Sequence, residues 1–105
     1  RAPAFGVPAA ALAEAGVAAL PAAPHYLRFE LDDRPGALAE IAACLGVEGV
    51  SIREMRQHDR PEGGLADVLI VTHACARDAL DRALAAVADR PVSRAAPVAL
   101  RIEEV

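Results

Sequence analysis

The order of its hydrophobic periodicities constrains this chain more than any other feature. From His25 onward, runs with a period of two alternate with runs at helical spacing. Leu27, Phe29 and Leu31 alternate with Tyr26, Arg28 and Glu30, the pattern of a strand buried on one face. Asp32 to Gly36 breaks that run. Leu38, Ile41, Ala42 and Leu45 then recur at i, i+3, i+4 and i+7, so the spacing predicts a helix from about Pro35 to Leu45. Proline suits a first helical turn, and Gly46 or Gly49 would close the helix. Val50-Ser51-Ile52 restarts a strand. Met55 falls out of phase with Ile52, which predicts a bulge near Arg53-Glu54. His58 to Gly64 is polar and carries Pro61, Gly63 and Gly64, so it is predicted as a hairpin loop.

Leu65 to Ala74 is the most apolar strand candidate, with Val68 and Ile70 on one face and Leu69 and Val71 on the other. A strand apolar on both faces is expected at the centre of a sheet. Leu80, Ala83, Leu84 and Val87 set a second helix over Ala76 to Ala88, followed by Pro91. Val92 to Glu103 supplies a last strand, either whole or in two pieces broken near Pro97. The order βαββαβ describes an α+β, ferredoxin-like sandwich. Right-handed crossovers then place both helices on one face of a four-stranded antiparallel sheet. The other face is left for solvent or a partner, and Leu69 and Val71 favour a partner.

Composition bounds the function. The net charge is −4, no lysine occurs, and no basic stripe is present to meet phosphates, which excludes a nucleic-acid partner. Only Phe5, Tyr26 and Phe29 are aromatic. Cys44 and Cys75 do not form a C-x-x-C pair and read as free, packed thiols. No run approaches the ~18 apolar residues of a membrane span, and no export signal is apparent, so the cytoplasm is expected. Residues 1–24 hold four of the eight prolines and begin at Arg. They are expected to be a linker or arm from a preceding domain, with residues 25–105 forming one domain of a longer protein.

Catalytic machinery is not legible. His25, His58 and His73 form no helical pair, and no nucleophile elbow, P-loop or dinucleotide fingerprint is present. No catalytic or metal-ligating residue is therefore assigned. Chemistry points instead to Asp32-Asp33-Arg34-Pro35-Gly36. Amides at a helix N-terminus lack intrahelical partners and carry partial positive charge, which suits a small carboxylate. An Asp beside them can accept from an ammonium group. Carboxylate and ammonium together describe an amino acid. The alternative is a plain capped turn, in which an Asp side chain satisfies those amides.

Asp33-Arg34-Pro35-Gly36-Ala37-Leu38 after a strand resembles the D-R-P-G-x-L signature of ACT domains. Gly49-Val50-Ser51-Ile52 followed by Gln57 is similar to that family's second-strand segment, although the family often carries Asn where Ser51 stands. Val68 to His73 and Ala99 to Glu103 resemble the ACT module that ends bacterial homoserine dehydrogenases. The resemblance implies an amino-acid-binding regulatory domain without catalytic residues or a cofactor of its own. It implies threonine as the effector, an NAD(P)-dependent parent enzyme and a homodimer joined through the sheet. It places ligand contacts on Asp33, Arg34, Pro35, Gly36, Ala37 and Leu38, faced by Val50, Ser51 and Ile52 of the same or a second chain. The alternatives are an oligomerisation module that binds no ligand and the ACT domain of another biosynthetic enzyme.

Overall fold

The computed structural model describes residues 21–103 apart from Glu62. The expected arm therefore lies outside the described residues over 1–20. Six elements follow in the expected order: β1 (His25–Asp32), α1 (Ala37–Val47), β2 (Ile52–Asp59), β3 (Leu65–Thr72), α2 (Arg77–Ala88) and β4 (Val98–Arg101). The strands form one antiparallel sheet ordered β2-β3-β1-β4. Its centre is β3 and β1, where the two-sided apolar strand belongs.

The alternation along β1 buries His25, Leu27, Phe29 and Leu31, and that along β3 buries Ala66, Val68, Ile70 and Thr72. Ile41, Leu45, Leu80, Ala83 and Val87 meet this face from the helices. Each such Leu, Ile, Val or Phe contributes roughly 1.5–3 kcal/mol by leaving water. Among the described residues, no helix covers the opposite face. Both cysteines are free and buried.

Two details depart from the sequence expectation, and a third settles an alternative it left open. First, α1 starts at Ala37, two residues late. The Ala37 amide donates to the Arg34 carbonyl (3.1 Å), and Gly36 sits at φ 85°, ψ −11°. These are the marks of a type II turn with Pro35 and Gly36 at its corners, so Pro35 turns the chain ahead of the helix. Second, β2 begins at Ile52 and runs on to Asp59, because His58 pairs with Asp67 and Asp59 with Ala66. The loop is therefore shorter than expected. Of the two forms expected for the last strand, the structure takes the one in two pieces. Ser93 bridges to Leu31, the register then slips around Pro97, and β4 pairs with the first half of β1.

The expected bulge is present, as a register shift between Ile52 and Glu54. Gly49 (φ 77°) closes α1: its amide donates to the Gly46 carbonyl (3.0 Å) and that of Val50 to the Leu45 carbonyl (2.9 Å). This glycine cap satisfies two end carbonyls and folds Val50 back onto the core. Ala23 is buried and exchanges backbone hydrogen bonds with Cys75 (3.1 and 3.0 Å), so the packed unit includes residues just ahead of His25.

Candidate functional site

The turn between β1 and α1 is held by backbone bonds on both sides. The Asp33 amide donates to the Gly64 carbonyl (3.0 Å) and the Arg34 amide to the Asp32 carbonyl (3.0 Å). No side chain caps α1. The Leu38 and Ala39 amides thus keep the unpaired character of a helix start, while that of Glu40 donates to the Gly36 carbonyl (3.0 Å). The simple Asp-capped turn weighed from sequence is not what the chain builds.

Asp32 is instead engaged with cations. Its carboxylate lies 3.4 Å from Arg94 Nε and 3.9 Å from Arg34 Nε, while Arg34 Nη2 reaches Glu40 at 3.4 Å. Asp33 is exposed. A small cavity of about 80 Å³ opens beside the turn. Asp33, Arg34, Gly36, Ala37 and Leu38 line it, with Gln57 of β2 on its far side and Ala66 and Val68 beneath. Of the six turn residues singled out from sequence, only Pro35 does not line it.

The sequence singles out Gln57 only as part of the second-strand segment, not as a ligand contact. Its signal was the bulge: once Arg53 takes the extra place, Met55 and Gln57 share the face of Ile70 and Val68, under the helices.

Val50, Ser51 and Ile52 lie elsewhere. Ile52 pairs with Thr72 at the end of β3, whereas Gln57 pairs with Val68 nearer its start. The two halves of the expected site stand at opposite ends of β2, about 15–20 Å apart at ~3.3 Å per residue. Val50 is buried, and its side chain packs in the core. The Ser51 carbonyl accepts from the His73 amide (2.9 Å), and Ser51 itself is exposed.

Among the described residues, no strand pairs with the outer edge of β2. The crossover from β1 to β2 sets α1 on the β2 side of the helical layer. The exposed positions of α1 include Ala39, Ala42, Ala43, Gly46 and Val47, the last 83% exposed, and Met55 on the adjoining strand is 45% exposed. A helix apolar on its outer side as well as its inner one is built for burial on both.

Two polar clusters sit away from the turn. Arg60, just past β2, donates through Nη2 to Glu30 Oε1 (2.9 Å) and to Asp67 Oδ1 (2.9 Å), tying the hairpin loop across three strands. The guanidinium holds the Asp67 carboxyl below its usual range. At the other end of β1, the His25 amide donates to Thr72 Oγ1 (3.0 Å) and Nδ1 donates to the Ala23 carbonyl (2.9 Å). Nε2 is buried without a partner. Burial lowers the His25 pKa below 6.5 and outweighs the raising effect of the Ala23 carbonyl. Among the described residues, no cluster of His, Cys, Asp and Glu could hold a metal ion, and no helix is long and apolar enough to cross a membrane.

The sequence model of the ACT domain matches residues 25–92, the span from β1 to the end of the α2 connection. The chain belongs to the ACT domain family. The homoserine dehydrogenase of Methylobacillus glycogenes is 37% identical over 82 residues, which cover 77% of this chain and 20% of that protein. That of Corynebacterium glutamicum is 32% identical over 79 residues, covering 75% and 17%. The crystal structure of a homoserine dehydrogenase from Thiobacillus denitrificans matches with a TM-score of 0.69 at 27% identity, over 78% of this chain and 18% of that one. This ACT domain thus matches the C-terminal region of bacterial homoserine dehydrogenases and spans about a fifth of the length of the curated relatives. Its βαββαβ order and single helical layer are those of the ACT fold.

Proposed function

We propose that this ACT domain is the effector-sensing module of an NAD(P)-dependent homoserine dehydrogenase, and that threonine is the effector. The observation that carries this reading is the uncapped start of α1, which opens on a small cavity between the Asp33–Leu38 turn and Gln57. Free helix-start amides receive the amino acid's carboxylate. Asp33, exposed and outside the Asp32 ion pairs, receives its ammonium. The Gln57 amide, which donates to Asp59 Oδ1 (3.2 Å) in the free chain, meets the side-chain hydroxyl.

A single chain supplies only half of such a site. A two-fold antiparallel pairing of β2 with its copy, centred on Met55, sets Ile52 of each, at the bulge, opposite Gln57 of the other. Ser51 and Ile52 then approach the turn and Gln57 of the partner. The same pairing buries the unsatisfied β2 edge and the apolar outer side of α1, which an isolated chain leaves in water. In the parent enzyme, threonine bound between two copies favours one arrangement of the pair, and regulation follows if the catalytic domains sense that arrangement.

Calorimetric titration of the chain with threonine, with serine, isoleucine and methionine in parallel, tests this reading. Saturable heat with threonine, strongest in the set, is expected. Absence of heat with all four would contradict it. A second reading, assembly without a ligand, is favoured by the apolar outer side of α1. It is distinguished by a dimer in sedimentation that no amino acid alters.

A further inference from the structure

The helix-free face of the sheet has a pattern that the effector reading does not use. The strand registers arrange its central side chains in two rows across the sheet. Glu54 pairs with Val71, Val71 with Tyr26, and Tyr26 with Leu100. One step along, Arg56 pairs with Leu69, Leu69 with Arg28, and Arg28 with Val98. Val98 and Leu100 are 50% and 59% exposed, and Tyr26 is 37% exposed. A shallow hollow of about 490 Å³ runs between Tyr26, Leu69, Val98 and Leu100, with His58 and the Arg28–Asp67 ion pair (3.8 Å) also lining it. An apolar strip of Val71, Tyr26 and Leu100, with Leu69 and Val98 beside it, crosses the sheet; Glu54 and Arg56 stand at its β2 end and Arg28 within the second row.

The two rows are complementary to each other. Rotating a copy by a half-turn about an axis that crosses the strands between the rows lays each row over the other. Glu54 then faces Arg56 of the copy, twice by symmetry. Leu69 faces Val71, and Val98 faces Leu100. Tyr26 faces Arg28, the geometry of a cation over an aromatic ring. Among the described residues neither Glu54 nor Arg56 has an ion-pair partner within its own chain. A parallel stacking would instead set the Arg and the Glu over apolar residues of β4.

We propose that this open face is a self-association surface, covered by a second copy of the chain stacked face to face with its strands antiparallel. The contact is separate from β2 edge pairing, and both can be satisfied at once in a four-chain assembly with two kinds of two-fold axis.

Spin labels at a Val98→Cys substitution in the full chain distinguish the two contacts. The site is exposed, and both native cysteines are buried, so labelling is selective. Face-to-face stacking puts the two labels about 10–15 Å apart, because packed sheets lie ~10 Å from each other. Edge pairing through β2 separates them by seven strand spacings of ~4.8 Å, more than ~30 Å. A short distance at high protein concentration is expected. A long distance alone would overturn this proposal and leave edge pairing standing. Absence of any intermolecular distance would overturn both. Charge exchange gives a second test on a folded surface. Glu54→Arg alone and Arg56→Glu alone are each expected to lower the short-distance population several-fold, and the double exchange to restore it. A short-distance population indifferent to all three variants would contradict the stacking.

Discussion

Gly36 carries the tightest backbone requirement at the candidate site. Its φ of 85° lies in the left-handed region, yet a Cβ there would meet nothing within 4 Å. The cost of a side chain is therefore conformational, not steric. Gly36→Ala is expected to lose about 1–2 kcal/mol from the left-handed strain and to regain about 0.4–1 kcal/mol from a stiffer unfolded chain. Urea unfolding should show a net loss near 1 kcal/mol, with Gly36→Asn milder because Asn tolerates this region better. His25 sets the second expectation at this scale. Its imidazole is held neutral by burial, with Arg77 and Arg101 opposing protonation, Asp81 favouring it and Cys75 Sγ 3.7 Å from Nδ1. The folded pKa is depressed, so below pH ~6.5 the unfolded chain binds the proton more readily. The His25 contribution is complete above that pH and is lost as pH falls toward the folded pKa. Unfolding free energies measured from about pH 8 down to about pH 5 should decline, and His25→Asn, which keeps a donor for the Ala23 carbonyl, should flatten the decline.

At the level of elements, the legible parts were those with apolar phase. β1, β3 and both helices announce themselves through Leu27, Phe29, Ile70, Ile41 and Leu80, all buried as their spacing requires. Even the β2 bulge was legible, because Met55 breaks the count from Ile52. The end of β2 was not. His58 and Asp59 are polar and exposed on an edge strand, and only their pairing with Asp67 and Ala66 makes them strand. Pro35 misled for a related reason: proline fits a first helical turn and the corner of a type II turn equally well, and Gly36 decides between them. Arg60 was silent in sequence, since its partners Glu30 and Asp67 meet it only after three strands are in register. Arg60→Ala is expected to leave the sheet intact but speed amide exchange at Gly63 and at the Arg60–Leu65 pair, read by hydrogen-exchange mass spectrometry. Unchanged exchange in that loop would mean the clasp holds nothing in place.

For the whole molecule, the candidate site was half legible. The D-R-P-G turn stood out, and the structure groups its residues, Pro35 apart, around one small cavity with Gln57. The second-strand residues were named from resemblance, and the fold carries Ser51 and Ile52 to the far end of the same strand. No reading of one chain could join the two halves, because in the proposed arrangement the join is a symmetry operation between two chains. The β2 edge and the exposed small residues of α1 are the surfaces that such a join would bury. The most direct measurement follows amide resonances of the isotope-labelled chain during a threonine titration. Concerted shifts of Leu38 and Ala39 at the turn, with Ser51, Ile52 and the Gln57 side-chain amide, are expected to saturate together at one threonine per chain. Shifts confined to the turn would contradict the shared site, and a spectrum unmoved by threonine would contradict the sensor.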